Sequence, residues 1–446
     1  MDIVRIDAVE RHDRPEALLG CSLDAPVAGE GQPAYAFDLA GWALARDSSV
    51  ESLLLLDGER VVVNAAPNHK RPDVIERLAA RADIGALAQD VAAFQVPVSA
   101  LELERAFSVE VAVALADGTR APLATLRGQR EQLSPPGAPR LSPVMLTTIG
   151  RSGSKWLAWL LSCHPEIVAF DALTLEPRVA TYWMTVLRSL AAPASWQRQL
   201  HAEHWDEHWW LGDGATPVPA PVKLGMAEWL GADALRETAA MCRTRIEAFY
   251  GEVAARDDKG GARLFVEKFL LDPRLLELTR ECFPRAREVI LVRDFRDRLS
   301  SVFAWNEKRG DHGFGHDGGM SKASYLTEHV LGDAEELLAR WRRAGDSAHL
   351  VHYEQLVLDP GATLAALFAY LGVAGDAHTV DAVLQTATGA NGLLDAHRTV
   401  EDPVRTIGRW RRDLPGDLAD ECNAILAPVL EAFGYATEVP QRELAR

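Results

Sequence analysis

Residues 146–157 read Leu-Thr-Thr-Ile-Gly-Arg-Ser-Gly-Ser-Lys-Trp-Leu, an apolar strand breaking into a small basic turn that opens a helix. A turn of this kind can hold an anion. Gly150 and Gly153 let the backbone bend and approach a ligand closely. The amides of Ser152, Gly153, Ser154 and Lys155 stand where a helix begins and its N–H groups point outward. Arg151 and Lys155 add full charges, and Ser152 and Ser154 add hydroxyl donors. Behind them, Trp156, Leu157, Trp159, Leu160 and Leu161 form the apolar stripe of a buried helix. The spacing differs from that of an ATPase loop, Gly-x-x-x-x-Gly-Lys-Ser/Thr. Taken alone, the turn is also compatible with a plain strand–helix connection.

A second basic segment lies at 287–305, Arg-Glu-Val-Ile-Leu-Val-Arg-Asp-Phe-Arg-Asp-Arg-Leu-Ser-Ser-Val-Phe-Ala-Trp. Val289–Val292 suits a buried parallel strand. At its end come Arg293, Arg296 and Arg298, then Ser300 and Ser301, a set suited to a second phosphate. Positive charge at a helix start is unfavourable without an anion to offset it. The alternative is a basic helix start making ion pairs.

Together these segments resemble the sulfotransferases that use 3′-phosphoadenosine 5′-phosphosulfate (PAPS). The resemblance implies that Gly150, Arg151, Ser152, Gly153, Ser154, Lys155 and Trp156 grip the 5′-phosphosulfate. It implies likewise that Arg293 and Ser301, eight residues apart as the family's motif requires, grip the 3′-phosphate. Val351-His352-Tyr353-Glu354-Gln355-Leu356-Val357 with Asp359-Pro360 is similar to the family's Tyr-Glu-Asp-Leu…Asp-Pro stretch. Gly408-Arg409-Trp410-Arg411 is similar to the late loop that closes over the nucleotide, with Arg405 its nearest upstream basic residue. The resemblance runs from 143 to about 435.

Some positions depart from the family pattern. Ser154-Lys155 replaces the usual Thr-Thr pair, and Glu267-Lys268-Phe269-Leu270 occupies the region of the cytosolic enzymes' catalytic His. The late loop lacks the usual Arg-Lys-Gly head. These features are closer to the bacterial, Golgi-like and tyrosylprotein branches, where a carboxylate serves as base. The implied assignment makes Arg151 and Lys155 stabilisers of the departing phosphate and puts Lys268 beside the sulfuryl group. Glu176 is the first choice of base, with Glu267, Asp171 and then His312 as alternatives. For Glu267 an ion pair with a neighbouring Arg is the competing expectation.

The implied activity is sulfuryl transfer from PAPS to a hydroxyl of a carbohydrate, glycoconjugate or small natural-product acceptor. A P-loop nucleotide kinase and a non-catalytic carbohydrate-binding protein are the alternatives. The sulfuryl group carries less charge than a γ-phosphate, so no metal is expected. His204-Trp205-Asp206-Glu207-His208, with His201 a turn earlier, matches the His-x-x-Glu-His of inverted zinc peptidases. It has no obvious third ligand downstream, however, and reads as a polar aromatic helix.

The elements that must position these groups are α/β in pattern. Strands are expected at Val144–Thr148, Ile167–Phe170, Leu264–Glu267, Glu288–Val292 and His349–Tyr353, with helices between. This implies a three-layer parallel sheet with its ligands at the strands' carboxyl ends. Residues 177–261 read as a helical insertion rich in tryptophan (Trp183, Trp196, Trp205, Trp209, Trp210, Trp229), suited to packing or to stacking on an acceptor. The Arg309–Gly319 loop, with His312 and His316, reads as mobile. Ahead of this domain, Asp57-Gly58 and Asp117-Gly118 mark hairpins, and Ala34–Leu44 and Phe94–Val98 read as further strands. Residues 1–128 are therefore expected to form a small immunoglobulin-like β-sandwich, 129–142 a linker and 143–446 the sulfotransferase domain.

The chain of 446 residues carries a net charge of −17 and is 48% hydrophobic. The acidic balance argues against nucleic-acid and anionic-membrane partners. No apolar run is long enough to span a membrane, and the opening Met1-Asp2-Ile3-Val4-Arg5 does not read as a signal peptide. The five cysteines are scattered, which suits a reducing cytoplasm. Oligomeric state is not legible from the sequence.

Overall fold

A computed structural model describes residues 2–81, 85–135, 137–170, 177–191, 232–269, 271–310, 320–388 and 399–437. By internal contacts the chain divides into two units, Met1–Gly137 with Met184–Cys242, and Ala138–Trp183 with Arg243–Arg446.

The first unit is built from β1 (Val4–Arg11), β2 (Leu18–Ala25), β3 (Gly31–Gln32), β4 (Ala36–Ala45), β5 (Val50–Asp57), β6 (Arg60–Ala65), β7 (Ala92–Ser99), β8 (Ala106–Leu115) and β9 (Arg120–Arg130). They form an antiparallel sheet ordered β3-β1-β9-β8-β5-β6 and a smaller antiparallel one ordered β2-β4-β7. Both Asp-Gly signals make hairpins. Asp57 pairs with Arg60 around Gly58 at φ +60°, and Ala114 pairs with Arg120 around Gly118 at φ +85°. Only a residue without a Cβ adopts these left-handed angles at no cost. Helix α1 (Pro72–Ala79) packs Val74 and Leu78 against Trp42 and Leu44. Arg188 pairs with Glu102, and Arg236 with Glu131 at 2.9 Å, so both described ends of the 184–242 stretch are tied to this unit.

The second unit holds a parallel sheet ordered β11-β12-β10-β13-β14, made of β10 (Ser142–Thr148), β11 (Ile167–Ala169), β12 (Leu264–Phe269), β13 (Arg287–Val292) and β14 (Ala348–His352). Every residue of β10 is buried, as expected for a strand covered on both faces. Val289 and Leu291 of β13 point into one core with α2 (Ser154–Ser162) and the helix at Pro360–Leu371. Ile290 and Val292 point into the other, with the helices at Phe295–Arg309, Leu331–Ala344 and Gly416–Ala432. The three-layer expectation is met. The first strand, β10, lies in the middle, flanked by β12 and β13, so the chain reverses its direction of winding there. A crevice at the carboxyl ends of these strands is the usual ligand position in such sheets.

Candidate functional site

The loop that follows β10 occupies that crevice. Arg151 sits at φ +70° and Gly153 at φ +93°, and Gly153 caps α2. A Cβ at residue 153 would stand 2.6 Å from the Tyr353 ring, so glycine is needed for both angle and space. Arg151 has no such exemption, and its left-handed backbone stores strain that the surroundings must hold. Arg298 Nε donates to Gly150 O at 3.0 Å, and Arg293 Nη1 donates to Arg151 O at 3.1 Å. The Arg151 side chain donates from Nε to Ser301 Oγ at 3.2 Å and lies over the Trp305 ring at 4.6 Å. These bonds hold the carbonyls of Gly150 and Arg151 in place.

The arginines expected to converge at the end of β13 separate into two kinds. Arg293 holds Arg151 O, donates to Thr406 O at 3.1 Å and lies over Tyr353 at 4.4 Å; its buried Nε has no hydrogen-bond partner among the described residues. Arg298 pairs with Asp333 at 2.7 Å. Arg296, by contrast, is spent on structure. It pairs with Asp294, donates to Asn423 at 2.6 Å and Ala436 O at 2.9 Å, and stacks on Trp410 at 4.3 Å. Ser300 donates back to Arg296 O and so takes no part in the convergence, whereas Ser301 joins Arg151.

The late loop comes to the same place. Thr406 gives its carbonyl to Arg293 and its Oγ1 lies 3.0 Å from the Tyr353 hydroxyl. Gly408, at φ +66°, donates its amide to Asp297 at 2.7 Å, and the Trp410 amide donates to the other oxygen of Asp297 at 2.9 Å. Burial, then the neighbouring Asp294, push the Asp297 carboxyl up to about 6, opposed by the Trp410 amide, the Arg293 charge and the Gly408 amide. Arg409 pairs with Asp413 at 2.6 Å and Thr399 at 3.1 Å, while Trp410 is core between Arg296 and Arg411. Arg405 is exposed. The structure thus brings together the 150–156 turn, Arg293, Ser301 and Gly408, with Trp156 edge-on to Tyr353 at 6.2 Å. Within the protein, Arg409 and Trp410 have the ion-pair and packing contacts just described. Asp297, Trp305 and Thr406 were not singled out by sequence. The acid at the helix start of Arg-Asp-Phe-Arg-Asp was the available signal for the first of them.

The candidate bases fare differently. Glu176, Asp171, His312 and His316 lie outside the described residues, as do His201–His208 and the expected tryptophans other than Trp183. Lys268 is half-buried in β12, beside Leu146 of β10. Glu267 is wholly buried and caps helix α3 (Val179–Ala191), accepting the amides of Val179 at 2.5 Å and Ala180 at 3.0 Å and the Tyr250 hydroxyl at 2.5 Å. These partners replace the arginine ion pair that sequence suggested, because a carboxylate at a helix N-terminus is stabilised by its amides. Burial still pushes Glu267 up to about 7 against those hydrogen bonds. A carboxyl raised by folding binds its proton more tightly in the native state, so its contribution is fully present below the unfolded value near 4.5. It is lost as pH rises through about 7. Glu267→Gln keeps an oxygen for the amides and offers Tyr250 a donor. The stability difference between variant and wild type should therefore move in the variant's favour from pH 5 to pH 8, read by denaturant melts. A pH-independent difference would contradict this.

Among the described residues no helix is long and apolar enough to cross a membrane, and no group of three or more His, Cys, Asp or Glu could hold a metal.

The "Sulfotransferase family" model matches residues 143–377, more than half of the chain. Protein-tyrosine sulfotransferase 1 of Danio rerio is 20% identical over 309 residues, covering 66% of this chain and 72% of that one. Protein-tyrosine sulfotransferase A of Caenorhabditis elegans is 22% identical over 320 residues, covering 67% and 69%. Among solved structures, the sulfotransferase domain from the curacin biosynthetic pathway covers 68% of this chain and 100% of its own, at 18% identity and a TM-score of 0.39. A mouse sulfotransferase complexed with PAP covers 66% and 86%, at 12% identity and a TM-score of 0.36. On the family match, over a region that holds the 150–155 turn and the arginine segment, the chain belongs to the sulfotransferase family.

Proposed function

We propose that this protein transfers a sulfuryl group from PAPS to a hydroxyl acceptor. The observation that carries the reading is the buried Arg293, whose Nε has no hydrogen-bond partner among the described residues while its other nitrogens fix the loop at Arg151 and the late loop at Thr406. A buried N–H left without an acceptor is costly, and an oxygen of a bound anion would complete it. Arg293 with Ser301 would hold the 3′-phosphate, and the 150–155 turn the 5′-phosphate. When bound, PAPS supplies the sulfuryl group and the phosphate that leaves. Lys155 and Arg151 hold positive charge where the leaving oxygen becomes negative. Lys268 is placed at the carboxyl end of β12, and a carboxylate takes the acceptor's proton. Carbohydrates, glycoconjugates and small natural products remain the first acceptor class. Tyrosine hydroxyls are a second, because the relatives quoted above are named for them. In the same reading the first unit's sheets form an immunoglobulin-like module. The cytoplasm is the proposed compartment, supported by free cysteines; burial raises the thiols of Cys21, Cys163, Cys242 and Cys422.

A thermal-shift comparison of the product nucleotide 3′,5′-ADP with ATP plus magnesium separates this reading from a nucleotide kinase. Calorimetry on Arg293→Ala then tests the site. Affinity for 3′,5′-ADP should fall by about 1.5–3 kcal/mol, the worth of a charge-assisted pair, and 5′-AMP affinity by much less. Equal weakening of both nucleotides would remove Arg293 from the 3′-phosphate.

A further inference from the structure

Asp297 stands in the first turn of the helix at Phe295–Arg309, whose N-cap is Asp294. It is 1% exposed and gives one oxygen each to two amides more than a hundred residues away, those of Gly408 and Trp410. A buried carboxylate is expensive unless its hydrogen bonds are complete, and here both are made to a single loop. That loop is held at two further points, the Arg293 bond to Thr406 O and the Tyr353 contact with Thr406 Oγ1. Arg293 and Tyr353 also support the anion turn, through Arg151 O and against Gly153. The turn, the arginine segment and the late loop therefore form one network, and Asp297 is its acidic member.

We propose that Asp297 is a positioning residue that clamps the loop at 405–410 in the arrangement that admits the nucleotide, setting nucleotide affinity through the loop without contacting the nucleotide itself. This rests on the PAPS reading given above. Asn at 297 has the same shape but only one acceptor oxygen. Its amide nitrogen would face a second N–H, donor against donor, and release the loop.

The test uses the full chain and two readouts. Without nucleotide, hydrogen exchange in Asp297→Asn should rise at 403–413 while β10 and β13 keep their protection. With nucleotide, the dissociation constant for 3′,5′-ADP should rise about tenfold or more, and turnover at saturating PAPS should change far less than the Michaelis constant. Tyr353→Phe, which releases Thr406 from the other side, should give the same paired change and decides the matter if the Asn variant does not fold. Unchanged exchange at 403–413, protection lost throughout the sheet, or unaltered 3′,5′-ADP affinity would each overturn the clamp. If the wild-type protein fails to bind 3′,5′-ADP, the PAPS reading falls, and the exchange data alone still decide whether Asp297 holds the loop.

Discussion

Lys155→Ala is expected to lower turnover about 100-fold, the scale of removing one preorganised oxyanion donor, with a smaller rise in the Michaelis constant for PAPS. Lys155 is the second residue of the helix at Ser154–Ser162, capped by the left-handed Gly153, so its charge adds to a helix end that already favours an anion. Arg151 reaches sideways to Ser301 and Trp305 and braces the loop. In the reading proposed above, Lys155 and Arg151 both meet charge that grows on the departing phosphate during transfer. An interaction made only in the transition state lowers turnover more than ground-state binding. Lys155→Arg should recover part of the loss, and EDTA should leave wild-type activity largely intact. Normal turnover in the Ala variant, or an enzyme silenced by chelation, would sink this assignment.

The sheet of the second unit was legible because buried parallel strands are short apolar runs that no helix period explains. Expected Val144–Thr148 is observed as Ser142–Thr148, and expected Glu288–Val292 as Arg287–Val292. The hairpins in the first unit were legible through Asp-Gly. The strands Val4–Arg11 and Leu18–Ala25 were not, since charged residues and register shifts blur their alternation and no turn pair brackets them. At the site, the strand–turn–helix at 146–157 could be read from the sequence, whereas the division of labour among Arg293, Arg296 and Arg298 could not. Their partners Thr406, Asn423 and Asp333 lie far along the chain, and only folding decides which guanidinium is consumed by which neighbour. Glu267 repeats that lesson. Its chemistry as a carboxylate was visible, but the Tyr250 hydroxyl and the helix amides that occupy it were not.

The fate of Glu267 sharpens the expectation for the base. Both its oxygens already accept hydrogen bonds inside the protein, and a base must reach the acceptor hydroxyl. Glu176 and Asp171 are then the carboxylates that remain from the sequence, both following the strand Ile167–Ala169 in the chain. Glu176→Gln keeps the side chain's shape and removes its proton acceptor. It should leave 3′,5′-ADP affinity unchanged by calorimetry while lowering turnover roughly 100-fold or more. An aliphatic alcohol must be among the acceptors assayed, because a phenol is acidic enough to surrender its proton with little help and would hide the loss. A larger defect with the alcohol than with the phenol is the signature of a lost base. A folding defect or misplaced nucleotide would slow both acceptors alike. Should Glu176→Gln turn over the alcohol normally, proton removal passes to Asp171 or His312, and the same pair of acceptors applied to Asp171→Asn and His312→Gln would identify which.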